Sequence, residues 1–234
     1  MNCRTLGIAM AAVSGLCLPL AAQGAGNGMV GSPHDLSAQV WNFRAEICRV
    51  CHVPHDHDRA FKRGLNGLLW NHAVSSATYT MYTSSSIQGA QDAQPTGITK
   101  LCLGCHDGTV ALDAFDKNPD IVQNGTFIQT GDPGFRIPGG NYFNGSVGDL
   151  SATHPISIVY DENADPGLAP QSTQMGGSGT IADVLEAGKV QCSSCHDVHD
   201  SPGESVPGTH LLRVAQTAAQ GGTPSGLCLT CHVK

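Results

Sequence analysis

"CRVCHVPH", residues 48–55, sets two cysteines three apart, a histidine directly after the second, and another histidine three residues further on. The first five letters are a pattern, C-x-x-C-H, that returns at Cys102–His106, Cys192–His196 and Cys228–His232. Paired cysteines in an exported chain ordinarily suggest disulfides, and the C-x-x-C spacing alone also suits structural zinc or a redox dithiol. A histidine behind all four pairs decides against those readings.

Two thiols at this spacing can add to the two vinyl groups along one edge of a porphyrin, which brings the adjoining imidazole beneath the iron; C-x-x-C-H is the attachment sequence of c-type haem. The sequence therefore predicts four covalently bound c-type haems. Cys48, Cys51, Cys102, Cys105, Cys192, Cys195, Cys228 and Cys231 would form the thioethers, with His52, His106, His196 and His232 as proximal iron ligands. Cys3 and Cys17 fall in the leader described below.

Composition agrees with such a filling. Charged residues make up 13% and aromatics 5% of the 234 residues, against 29 glycines and 13 prolines, so a conventional aliphatic core would be thin. Thioether-anchored macrocycles would stand in for it, as disulfides and metals do in small scaffolds. The fold class that follows is mostly irregular coil with short helices at the motifs and a few short strands, wrapped around four haems. A further helix is predicted over 181–187, and a short hairpin in the turn-rich stretch 123–146. Residues 161–180 read as loop.

Residues 1–25 carry one cation, Arg4, then an apolar run from Leu6 to Leu20 and small residues around Ala22-Gln23-Gly24. That order reads as a cleaved signal peptide, hence an exported chain. An uncleaved anchor would be unusually short, and Leu16 before Cys17 departs from a lipoprotein site. The whole chain has a net charge of −7 and no basic stripe, which argues against nucleic acid or anionic membrane as partners. "NGT" at Asn124 and "NGS" at Asn144 match glycosylation acceptors, a weak signal in an exported bacterial-type chain.

What fills the sixth iron position decides between a wire and an enzyme. Seven of the eleven histidines lie outside the motifs. Laid side by side, the two halves repeat: His34, "CRVCHVPH", "LLWNH", "LCLGCH", then His154, "CSSCHDVH", "THLLR", "LCLTCH". Residues 26–118 form a first dihaem module, 119–153 a connecting segment and 154–234 a second module. His55 and His199 follow a proximal histidine too closely to reach the opposite face of the same ring, so each must serve another haem. With His34 and His154 they make the preferred distal set; His72 is held in reserve, and His57 and His210 are read as bystanders. Surplus imidazole leaves Met29, Met81 and Met175 without a ligand role and argues against an open, catalytic iron of the nitrite or hydroxylamine oxidoreductase kind. Trp41 and Trp70 are expected to pack on haem faces or edges.

"SPHDLSA", "ICRVCHVPH", "LLWNHAVSSATYT", "LCLGCHDGTVALD", "THPISIVY" and "VQCSSCHDVHD" resemble the doubled C-x-x-C-H multihaem cytochromes, and the order of four haems is similar to extracellular tetrahaem cytochrome nanowires of the OmcE type. The resemblance implies an electron-transfer protein rather than an enzyme. It also implies bis-histidine ligation throughout, subunits joined head to tail into an extracellular conducting filament, and one axial histidine given by the adjacent subunit. Redox-partner cytochromes and external acceptors would be its partners, and a monomeric periplasmic shuttle is the alternative. The shifted donor pattern favours His55 as the residue crossing the boundary, then His34, since a heterologous contact that never closes makes a fibre.

Overall fold

The computed structural model describes residues 28–55, 68–107, 110, 112–116 and 148–233. The predicted leader, His57, the hairpin predicted within 123–146 and both glycosylation-type sequences lie outside these residues. Regular structure is sparse: α1 (Gly97–His106), β1 (Ile158–Val159), β2 (Lys189–Val190), α2 (Cys192–Cys195) and α3 (Gly226–Cys231), with 3-10 turns at Ile181–Val184 and Ala218–Gln220. Three of the four motifs form or end these α-helices. The first makes a single turn, closed where His52 N–H donates to Cys48 O at 2.8 Å.

The segment 181–187 departs from expectation. Its helix stops after Val184, Leu185 is extended, and Ala187 has φ +51°. The reason lies elsewhere in the chain: Glu186 Oε2 accepts from the N–H of Ile98 at 2.7 Å and so caps α1, while Glu186 and Lys189 pair across a tight turn into β2. A carboxylate at a helix N-terminus satisfies an orphan donor and meets the positive end of the dipole.

Each half contains the same small device. Val53 N–H donates to Leu69 O (2.9 Å) and Asn71 N–H to Cys51 O (2.8 Å); Asp197 N–H donates to Leu211 O (2.8 Å) and Arg213 N–H to Cys195 O (2.9 Å). Leu69 and Leu211 both take positive φ, +50° and +59°. The side chains repeat the match, since Asn71 Nδ2 donates to Arg49 O (2.5 Å) and Arg213 Nε to Ser193 O (2.9 Å). This register sets His210 opposite Leu68 and His72 opposite Val214.

Apolar burial is divided among three small clusters: Trp41, Val50, Leu112 and Phe115; Tyr79, Leu103 and Leu150; and Tyr160, Ala169 and Ile181. The modules interlock around them. β1 pairs antiparallel with β2, Ile158 opposite Val190, and Gln91 bridges to Ile158. Lys189 Nζ meets Asp92 at 2.7 Å, and Thr99 Oγ1 donates to Gln191 Oε1 at 2.6 Å. Leu150, in the segment expected to be a connector, packs into the first module.

Candidate metal centres

All eight motif cysteines are free thiols. Burial pushes Cys51 and Cys105 up to about 12 and Cys195 up to about 11, so they stay protonated at neutral pH. Cys102 and Cys192 hydrogen-bond to each other, which raises the first and lowers the second. Helices α1 and α2 meet here, with Cys192 N–H donating to Thr99 Oγ1 at 3.0 Å. Among the described residues, no group of three or more Cys, His, Asp or Glu converges as a metal site. A closed zinc site draws all four ligands from the protein; the cysteine pairs do not assemble one.

The histidines converge in twos. His34 and His106 have ring centroids 6.1 Å apart, His52 and His199 6.3 Å, and His154 and His232 6.2 Å. Two imidazoles on opposite sides of one ion, with metal–nitrogen bonds of about 2 Å and ring radii of about 1.2 Å, hold their centroids about 6.4 Å apart. Aromatic packing alone spans a wider range, about 4.5–7 Å. Here each pair joins one motif histidine to one of the four distal candidates, and the three spacings differ by no more than the 0.2 Å between 6.1 and 6.3 Å. A two-imidazole site closes around a metal that brings its remaining ligands with it, as haem iron does.

The second nitrogens are arranged to suit. Nδ1 lies 2.7 Å from Leu68 O in His52, 2.7 Å from His210 O in His196 and 2.8 Å from Pro155 O in His154. A ring that donates from Nδ1 to a carbonyl keeps its Nε2 lone pair for a metal and is fixed in orientation. His34 is half-buried, with its enclosed Nδ1 unpartnered; desolvation first, then His106, His196 and His199, lowers its pKa to about 4. His106 is lowered too, chiefly by burial. Both are neutral imidazoles with a lone pair to give.

Of the eight favoured ligands, two fall outside the three pairs: His196, the remaining motif histidine, and His55, which is exposed. His72, the reserve ligand, is fully buried with Nδ1 3.0 Å from Ala73 O and Nε2 3.2 Å from Leu112 O. A neutral ring donates from one nitrogen at a time, so His72 is tied to one of these carbonyls, with Cys105 Sγ 3.8 Å from its Nε2. His210 contributes its backbone carbonyl to His196. Met175 is interior and Met81 packs beside Tyr79. Trp41 meets Phe115 edge-on, and Trp70 stands at 88° to the His52 ring with centroids 5.8 Å apart.

Reasoning from sequence missed two features. Asp107 and Asp197, directly after His106 and His196, are buried. Tyr79 Oη donates to Asp107. Burial raises Asp197, but donors from Ser201 and His199, with Arg213 nearby, outweigh it and hold the carboxyl below its usual range. The spelling C-x-x-C-H-D at two motifs of four was the available signal. The other is the brace formed by Asn71 and Arg213, whose equivalence is hidden by unequal spacing from the motif.

Comparison of the chain with protein families, curated proteins and solved structures finds no match. No helix of the described residues is long and apolar enough to cross a membrane.

Proposed function

We propose that this chain is an exported electron-transfer protein that holds four c-type haems between histidine pairs and assembles head to tail into a conducting filament. The observation that carries the reading is the set of three imidazole pairs at matched spacing, with one acceptor, His196, and one donor, His55, left over. Bound haem supplies a one-electron iron couple at each pair. The chain's own part is to pin each ring by two cysteines and clamp its iron by two imidazoles, so that ligation is the same in both oxidation states and little rearranges on transfer.

The pairs also follow the repeat. His34 serves the second motif of its module as His154 does, whereas His199 reaches back from the second module to His52 in the first. Continued by one module, the same step carries His55 back to His196 of the preceding copy. The boundary would then be crossed by a ligand bond, and His34, paired inside its own chain, would not cross it. The neutral state of half-buried His34 and the Nδ1 bonds of His52, His154 and His196 support the ligand roles.

Mass spectrometry of the secreted protein should find four haem additions, and magnetic circular dichroism should find low-spin bis-imidazole iron. His55→Ala should leave one haem in four high-spin and particles monomeric by electron microscopy, whereas His210→Ala should change neither. Absence of porphyrin mass would refute the reading outright. Intact filaments in His55→Ala would refute the assignment of the crossing ligand.

A further inference from the structure

The junction between the two modules contains an apolar contact whose counterpart at the chain ends is open. Leu103, in "LCLGCH" of α1, is 1% exposed and packs with Leu150, 2% exposed, and Tyr79. Leu229 holds the same place in "LCLTCH" of α3 and is 49% exposed. Its neighbours do not account for the difference, since Leu101 and its counterpart Leu227 are both buried. Protein alone covers Leu103, so this side of the motif helix faces a chain and not the cofactor edge.

The other half of the contact is open in the same way. Counting back four residues from His154 gives Leu150, and from His34 gives Val30, which is 71% exposed. The backbone leading to the two positions agrees: Gly148 and Gly28, each two residues earlier, have φ of +74° and +85°. Within the chain, Thr80 N–H donates to Gly148 O (2.8 Å) and Leu150 N–H to Thr80 O (2.9 Å), which seats Leu150. A Cβ on Gly148 would meet Thr78 O at 2.9 Å, whereas one on Gly28 would meet nothing within 4 Å. Gly28 N–H donates to Asp200 O (2.8 Å), so the start of the arm is tethered while Val30 projects into solvent.

We infer that Val30 of one copy seats on Leu229 of the next, repeating between chains the contact that Leu150 makes with Leu103 within one. The inference rests on the head-to-tail assembly proposed above and names the apolar surface that forms it. Its direction is that of the crossing ligand: the same N-terminal module that would send His55 back to His196 presents Val30 to the same neighbour. Two large exposed aliphatic side chains, one at each end of a repeat, make a contact that cannot close on itself and so propagates.

The test uses the haem-loaded full chain, with four haem additions checked by mass in every variant. Val30→Asp and Leu229→Asp should each raise the concentration needed for filaments by at least about tenfold, because a carboxylate must be buried where an aliphatic group sat. An equal mixture of the two should give dimers and no fibres, since one native junction remains between them and both outer ends are blocked. Val30→Leu, which copies Leu150, should assemble as the native chain does. Filaments from either Asp variant at native concentration, or a mixture that stays monomeric, would overturn the contact and leave head-to-tail assembly standing. A native chain that carries four haems and stays monomeric would instead remove the assembly itself.

Discussion

His72 and His34 show how differently two histidines withdrawn from the surface can be used. His72 is fully buried and turns its nitrogens towards carbonyls, whereas His34 is half-buried and keeps its enclosed Nδ1 unpartnered beside His106. His72→Ala should therefore destabilise the fold by about 1–3 kcal/mol in denaturant titrations and leave all four irons low-spin. Asp107 and Asp197 act through charge. The Asp107 carboxylate raises the affinity of both His106 and the Cys105 thiol for their protons, although burial dominates each. A buried negative charge beside a haem bound at these motifs would favour its ferric form. Asp107→Asn and Asp197→Asn should accordingly raise the midpoint potential of the haem at their own motif in spectroelectrochemical titration, while Val53→Asn at the first motif should shift little. Three of the four distal candidates, His34, His154 and His199, stand beside a motif histidine, and their place in the repeat is what marked them in the sequence. The part played by His72 could not be read that way, because Leu112 comes from 40 residues away.

Among the elements, the motif turns were legible and their surroundings were not. Apolar and cysteine spacing marks α1 and α3, but the end of the 181–187 helix depends on Glu186 leaving to cap α1. The repeat was visible from its motifs, yet pairing "LLWNH" with "THLLR" by eye places two histidines near each other. Backbone pairing matches Leu69-Trp70-Asn71 to Leu211-Leu212-Arg213 instead. Equivalent positions on α1 and α3 can be compared directly in the monomeric Val30→Asp background. Leu103→Ala should cost about 2–4 kcal/mol, in line with cavity formation at a buried leucine, and Leu229→Ala less than about 0.5 kcal/mol. Urea unfolding of the two variants checks the contrast.

At the scale of the molecule, three small clusters and a set of polar clasps take the place of a common core. Thin composition announced this, but not which residues clasp. Asp92 is held below its usual range, mainly by the hydrogen bond from Lys189, and Asp197 is held low as described. Carboxyls lowered in the folded state lend stability above the ordinary carboxylate range and withdraw it as pH falls through their folded values. The urea midpoint should thus drop between pH 5 and pH 3, and Asp92→Asn or Asp197→Asn should flatten that drop. The meeting of Cys102 with Cys192 bears on biogenesis as well. In an oxidising compartment, adjacent sulfurs invite a covalent shortcut. If the proposed haems are attached there, delivery of porphyrin to the second and third motifs would have to win a race against oxidation, and a starved cell should accumulate a cross-linked dead end two cofactors short.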